Sequence, residues 1–230
     1  MTIRPFDPTT ARLLEAILPH VAFDGWSQAA FEAALGDAGL TSDEAKAACP
    51  RGATDLAVAF HLAGDDMMRI ALQAADLGKM RYSERVAFAI RTRLNVVDDK
   101  EAVRRGTALF SLPHLAAEGA RLIWGTADAI WTALGDTSDD VNWYTKRATL
   151  SGVYGASVLY WLGDDSLDGQ ATDDFIDRRI ADVMQFETLK AQVKANPVAK
   201  RILAPLDQLL SRVRKPSEAA PADLPGRWVE

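Results

Sequence analysis

Asp140-Val-Asn-Trp-Tyr-Thr-Lys-Arg147 runs without a helix breaker into ATLSGVYGASVLYWL, Ala148 to Leu162. Asp139 and Asp140 offer N-cap carboxylates, so Trp143 and Tyr144 fall in the first turn, where polar residues are the rule. Beyond Ala148 the polar side chains are Thr149, Ser151, Ser157 and the tyrosines, a pattern of burial nearly all round. Trp143, Arg147, Leu150 and Tyr154 recur at helical spacing and share one stripe. Two placements stay open for Trp143. It can stand at an exposed docking edge, since Trp, Tyr and Arg together have the composition of an interface hot spot. It can equally tuck against the body with Arg147 stacked on it, and Asp140 has a plain capping role.

Working outward, the helical period repeats along almost the whole chain. Thr10 to Val21 carries Leu13, Leu14, Ile17, Leu18 and Val21 on one face. Ser27 caps a second helix that stops at Gly36, and Ser42 caps a short third closed by Pro50 and Gly52. A longer helix spans Ala53 to Leu77, with Leu56, Phe60, Met67 and Ile70 inward. Arg81 to Val97, Lys100 to Phe110, Ala116 to Leu134, the opening helix and Asp173 to Val193 follow. No alternating strand pattern competes. The expected fold class is all-α, a bundle of roughly nine or ten helices. The expected layout is residues 1–52 as an N-terminal part, 53–193 as a helical ligand and dimer part, 194–215 as an amphipathic helix and 216–230 as a disordered tail.

With 230 residues, 48% of them hydrophobic and 25% charged, the chain can bury a large core, which excludes wholesale disorder. A net charge of -6 disfavours nonspecific affinity for nucleic acid by the chain as a whole. Cys49 is the sole cysteine, so it forms no internal disulfide and reads as a buried spectator thiol. The start, MTIRPFDPTT, has no basic-then-apolar signal pattern and no run approaches a membrane span, so a cytosolic protein is expected.

The first three helices have a helix-turn-helix cadence, through Gly25-Trp26 and Ala38-Gly39-Leu40-Thr41-Ser42, that resembles the tetracycline-repressor family. Their charge argues against reading DNA. From Met1 to His61 four basic residues face eight acidic ones, and phosphate contacts supply most of such a domain's nonspecific affinity. No nucleic-acid partner is expected, with a ligand-responsive repressor as the alternative.

Catalytic patterns are missing. His20, His61 and His114 stand far apart, none with a glutamate three residues before it, which leaves no di-iron or zinc spacing. There is no phosphate-binding glycine loop, nucleophile elbow or dinucleotide fingerprint. The expectation is a non-enzyme with no catalytic residues, no metal and no cofactor.

With GDTSDDVNWYTKRATLSGVYGASVLYWLGD in view, and with PHVAFDGWS near the start and SLPH at 111 to 114, the chain resembles the ubiquinone (coenzyme Q) biosynthesis accessory family. That is the lipid-binding family with a tetracycline-repressor-like fold. The resemblance runs from about Leu13 to Val193 and is strongest between Asp128 and Leu162. It implies a homodimer that binds isoprenoid quinone precursors in an apolar cavity and presents them to the demethoxyubiquinone hydroxylase. It also implies a partner patch on Asp128, Asp140, Asn142, Trp143, Tyr144 and Arg147. Candidate cavity walls are Phe88, Leu94, Phe110, Leu122, Trp124, Trp131, Leu150 and Tyr154. Mitochondrial relatives carry a transit sequence, and the start of this chain suggests instead a bacterial, cytoplasmic member on the inner face of the membrane.

The C-terminal segment carries its own membrane argument. From Phe186 to Lys215 seven basic residues face two acidic ones, and Val198, Ile202, Leu206, Leu209, Leu210 and Val213 form an apolar stripe. Such a helix can lie in a membrane interface, with Lys200, Arg201 and Arg212 among headgroups and Ile202, Leu206, Leu209 and Leu210 in the acyl boundary. The other possibility is a terminal helix packed on the body.

Overall fold

The computed structural model describes residues 7–195 and 213–216. Among the described residues the fold is all-α, with nine α-helices and no strand. α1 (Pro8–Asp24), α2 (Gln28–Ala38) and α3 (Ser42–Ala48) come first, and α4 (Ala53–Ala74) runs from them into the body. α5 (Tyr82–Asn95), α6 (Lys100–Phe110), α7 (Ala116–Ala133), α8 (Val141–Leu162) and α9 (Gln170–Ala195) complete the bundle.

Local chemistry explains the ends. Asp7 caps α1 by accepting from Thr9 and Thr10, and Ser27 caps α2. α2 continues through Gly36 to Ala38, because the left-handed residue that ends it is Gly39, at φ 61°. The third helix is capped by Thr41 rather than Ser42. Thr41 and Glu44 form a reciprocal capping box, which satisfies one more donor than a lone serine could.

Two apolar cores sit along α4. Leu13, Ile17, Val21, Trp26, Phe31 and Leu56 build the first, around α1 to α3. α6 joins it through Ala102, whose carbonyl accepts from the Trp26 indole at 3.0 Å. Met68, Leu72, Ile90, Leu94, Ile130, Leu150 and Ile176 belong to the second, between α4, α5, α7, α8 and α9. Cys49 is buried as expected, with its sulfur 3.8 Å from the Thr10 hydroxyl.

One face of α4 departs from its apolar period. Met67 and Ile70 were expected inward, yet each is about half exposed, and α4 instead buries Gly64, Asp65, Asp66 and Met68. The cause is a charged pair: α4 turns Asp65 toward Arg93 of α5, a face that a count of apolar residues assigns to solvent.

Candidate functional site

The helix opening at Asp140 starts as its carboxylate requires. Asp140 accepts from the Asn142 backbone N–H at 2.9 Å and from the Asn142 amide at 3.0 Å. One turn later the stripe turns inward. Arg147 donates from Nε to Asp128 at 2.6 Å and from Nη1 to Asp136 at 3.0 Å, with 3% of its side chain exposed. Its guanidinium lies 4.1 Å from the centre of the Trp143 ring. Burial opposes the charge on Asp136, but donors from Lys146, Ser138 and Arg147 outweigh it and bring its pKa down to about 2.

Above this buried knot lies an aromatic edge. Trp143 is half-buried, 6.0 Å from Trp124 and edge-on to Tyr144 at 4.8 Å. Asn142 is exposed, and Asp128, Asp140 and Tyr144 are partly so. The fold therefore groups Asp128, Asp140, Asn142, Trp143 and Tyr144 at the surface and sets Arg147 beneath them. Residues 213–216 reach the same edge. The Tyr144 hydroxyl donates to the Arg214 carbonyl at 3.1 Å, and the Lys215 N–H donates to the Asp139 carbonyl at 2.9 Å.

A cavity of about 230 Å³ opens between α4, α5, α6, α7 and α8. Leu94, Phe110, Leu122 and Tyr154 line it, together with Trp26, Phe60 and Trp161. A second space of about 190 Å³, between α5, α7, α8 and α9, is walled by Trp131 and Leu150 among others. Trp131 stacks on Tyr82 there, and its buried indole N–H has no protein partner. Of the remaining candidates, Phe88 packs against the second core and Trp124 stands beside Trp143, away from both spaces. Lys200, Arg201, Ile202, Leu206, Leu209, Leu210 and Arg212 lie outside the described residues.

Sequence reading missed the polar wall of the larger cavity. Arg93 donates to Asp65 at 2.6 Å and to the His61 carbonyl at 2.9 Å; the Thr126 hydroxyl donates to the same Asp65 oxygen at 2.9 Å. His61 Nε2 lies 2.9 Å from that hydroxyl. Since the hydroxyl proton goes to the carboxylate, His61 is the donor to Thr126 and carries its proton on Nε2. Desolvation is the main reason its pKa is pushed down to about 4, so the ring is neutral near pH 7. The signal was present in sequence as His61 and Asp65 one turn apart on an otherwise apolar helix face. Among the described residues no cluster of three metal-ligating side chains occurs, and no helix is long and apolar enough to cross a membrane.

Residues 116–187, which include α7, the Arg147 knot and α8, match the COQ9 family model. Ubiquinone biosynthesis protein COQ9, mitochondrial, of Bos taurus is 29% identical over 194 residues, covering 80% of this chain and 60% of that protein. Its namesake in Xenopus tropicalis is 30% identical over 191 residues, 79% of this chain and 60% of that one. The probable ubiquinone biosynthesis protein coq9, mitochondrial, of Dictyostelium discoideum is 26% identical over 213 residues, 89% of this chain and 67% of that one. The chain thus spans about three-fifths of the length of the first of these relatives. In fold it is similar to a TetR transcriptional regulator from Nitrosomonas europaea, with a TM-score of 0.63 at 17% identity, over 76% of this chain and 97% of that one.

The relatives correct one expectation. They are named as mitochondrial, so the bacterial cytoplasmic placement on the inner face of the membrane, inferred from the first residues, does not stand. In its all-helical, TetR-type architecture the chain is similar to a solved regulator, and in sequence it is similar to the COQ9 ubiquinone biosynthesis proteins, with its family-model match at residues 116–187.

Proposed function

We propose that this chain is a non-catalytic accessory protein of ubiquinone biosynthesis that holds an isoprenoid quinone precursor and presents it to the demethoxyubiquinone hydroxylase. The observation that carries this reading is the apolar cavity among α4 to α8, which lies between helices, as small-molecule sites commonly do. The edge of Asp128, Asp140, Asn142, Trp143 and Tyr144 is the docking face for the hydroxylase. Arg147 supports that face from below by clamping α8 to Asp128 and Asp136. Leu159 and Tyr160 on α8, with Met184 and Phe186 on α9, are large exposed apolar side chains that suit a seam between two copies. The basic and apolar stripe after Asn196 suits a membrane surface from which a lipid is drawn.

The test is extraction of the purified full chain followed by lipid mass spectrometry, which should recover a prenylated ring compound. An empty or purely polar extract would sink the carrier reading. In the same preparation Asn142→Arg, at an exposed position, should lose capture of the hydroxylase with an unchanged melting temperature. Undiminished capture would remove the docking face.

A further inference from the structure

The polar wall of the larger cavity has a composition that selects among lipids. Arg93, Asp65, Thr126 and Tyr154 are each at most 4% exposed. They come from four different helices, α5, α4, α7 and α8, and meet beside a space whose other walls include Leu94, Leu122, Ile123 and Trp161. Gly64 makes the meeting possible, because a Cβ there would sit 2.6 Å from the Arg93 guanidinium. A guanidinium has five N–H donors, and Asp65 and the His61 carbonyl take one each. Arg93, His61 and Tyr154 all border the same cavity.

Charge and size narrow the occupant. The Arg93–Asp65 pair is neutral overall and His61 adds no charge, so an anionic head would bring an uncompensated charge into a low-dielectric space beside Asp65. A cation would meet Arg93. An uncharged head with oxygen acceptors meets a donor without either cost. At about 230 Å³ the space is smaller than the roughly 300–1,000 Å³ of pockets that bury a drug-sized ligand. It takes a ring and the start of a tail, and the rest of a long tail extends beyond it.

We propose that Arg93, His61 and Tyr154 form a head-group subsite that orients an uncharged, oxygen-bearing ring inward, with Arg93 donating to a ring carbonyl or ether oxygen. This deepens the carrier reading and rests on it.

The experiment titrates the full chain, by quenching of its tryptophan fluorescence, with a short-chain ubiquinone, with geraniol as a tail lacking the ring, and with lysophosphatidylglycerol as an anionic lipid. The wild-type chain should bind the quinone at least about tenfold more tightly than the other two, the scale of one hydrogen bond from a charged donor. Asp65→Asn/Arg93→Gln, which removes both charges together, should bring quinone affinity down to that of geraniol and leave geraniol affinity as it was. Should the double variant not fold, Tyr154→Phe keeps the ring and its packing and should weaken quinone binding alone. Equal binding of quinone and geraniol by the wild-type chain would overturn the subsite and leave the carrier standing. Failure of both prenyl ligands to bind would bring down the carrier reading itself. Preferential binding of the anionic lipid, or full quinone affinity in the variants, would also overturn the subsite.

Discussion

At Arg147 a charge that the resemblance assigns to a partner surface is almost wholly enclosed, between Asp128, Asp136 and the face of Trp143. Spacing placed Trp143, Arg147, Leu150 and Tyr154 on one stripe, and they do share it. Spacing could not say which way the stripe points. That was decided by Asp136, a carboxylate with 2% of its side chain exposed that needs cations beside it. Arg147→Met should therefore leave Asp136 with Lys146 as its one charged partner and cost about 3–5 kcal/mol, the range for breaking a buried ion pair. Urea unfolding checks this. A loss below about 1 kcal/mol, the scale of an exposed pair, would mean that the knot opens to water.

Among the elements, α4 best separates what pattern reveals from what packing decides. Its existence and its start follow from the helical period, and Leu56 is buried as the apolar count requires, but from Gly64 onward its inward face turns away from Met67 and Ile70. The Arg93–Asp65 pair occupies that face, and periodicity treats charge as a mark of solvent. Gly64 tests this element. In an open helix Gly→Ala gains about 1 kcal/mol. Here the new Cβ would press on a guanidinium already held by Asp65 and the His61 carbonyl, so Gly64→Ala should lower the melting temperature despite better propensity. A raised melting temperature would show that Arg93 moves aside freely and that the close approach is incidental. α8 was legible in its cap and length, but burial nearly all round does not hold: Ala148, Thr149, Gly152, Leu159 and Tyr160 are exposed, because the helix packs on α7 and α9 along one side only.

For the molecule as a whole, the buried polar groups make stability depend on acid in two steps. His61 has its pKa pushed down to about 4 in the folded chain, so between the ordinary histidine value and that point the unfolded chain binds the extra proton. Stability should be full above about pH 6.5, fall as pH drops to about 4, and lose roughly 3 kcal/mol in that window. Asp136, lowered to about 2 by its cationic partners, adds a second loss below the ordinary carboxylate value. Thermal melts across this range should show the first slope in the wild-type chain and a flatter one in His61→Gln. An identical slope in both would remove His61 as the cause. The sequence by itself determined the all-helical class, most helix ends and the capped start of α8 at Asp140, because caps and periodicity are local and act within a turn or two of each residue. Only the tertiary structure decided which charges are buried, which candidate aromatics line a space and which merely pack. It also decided that His61, Asp65, Arg93, Thr126 and Tyr154 meet beside a cavity. Those outcomes depend on residues far apart in sequence that neutralise one another in a medium where no single one of them could remain alone.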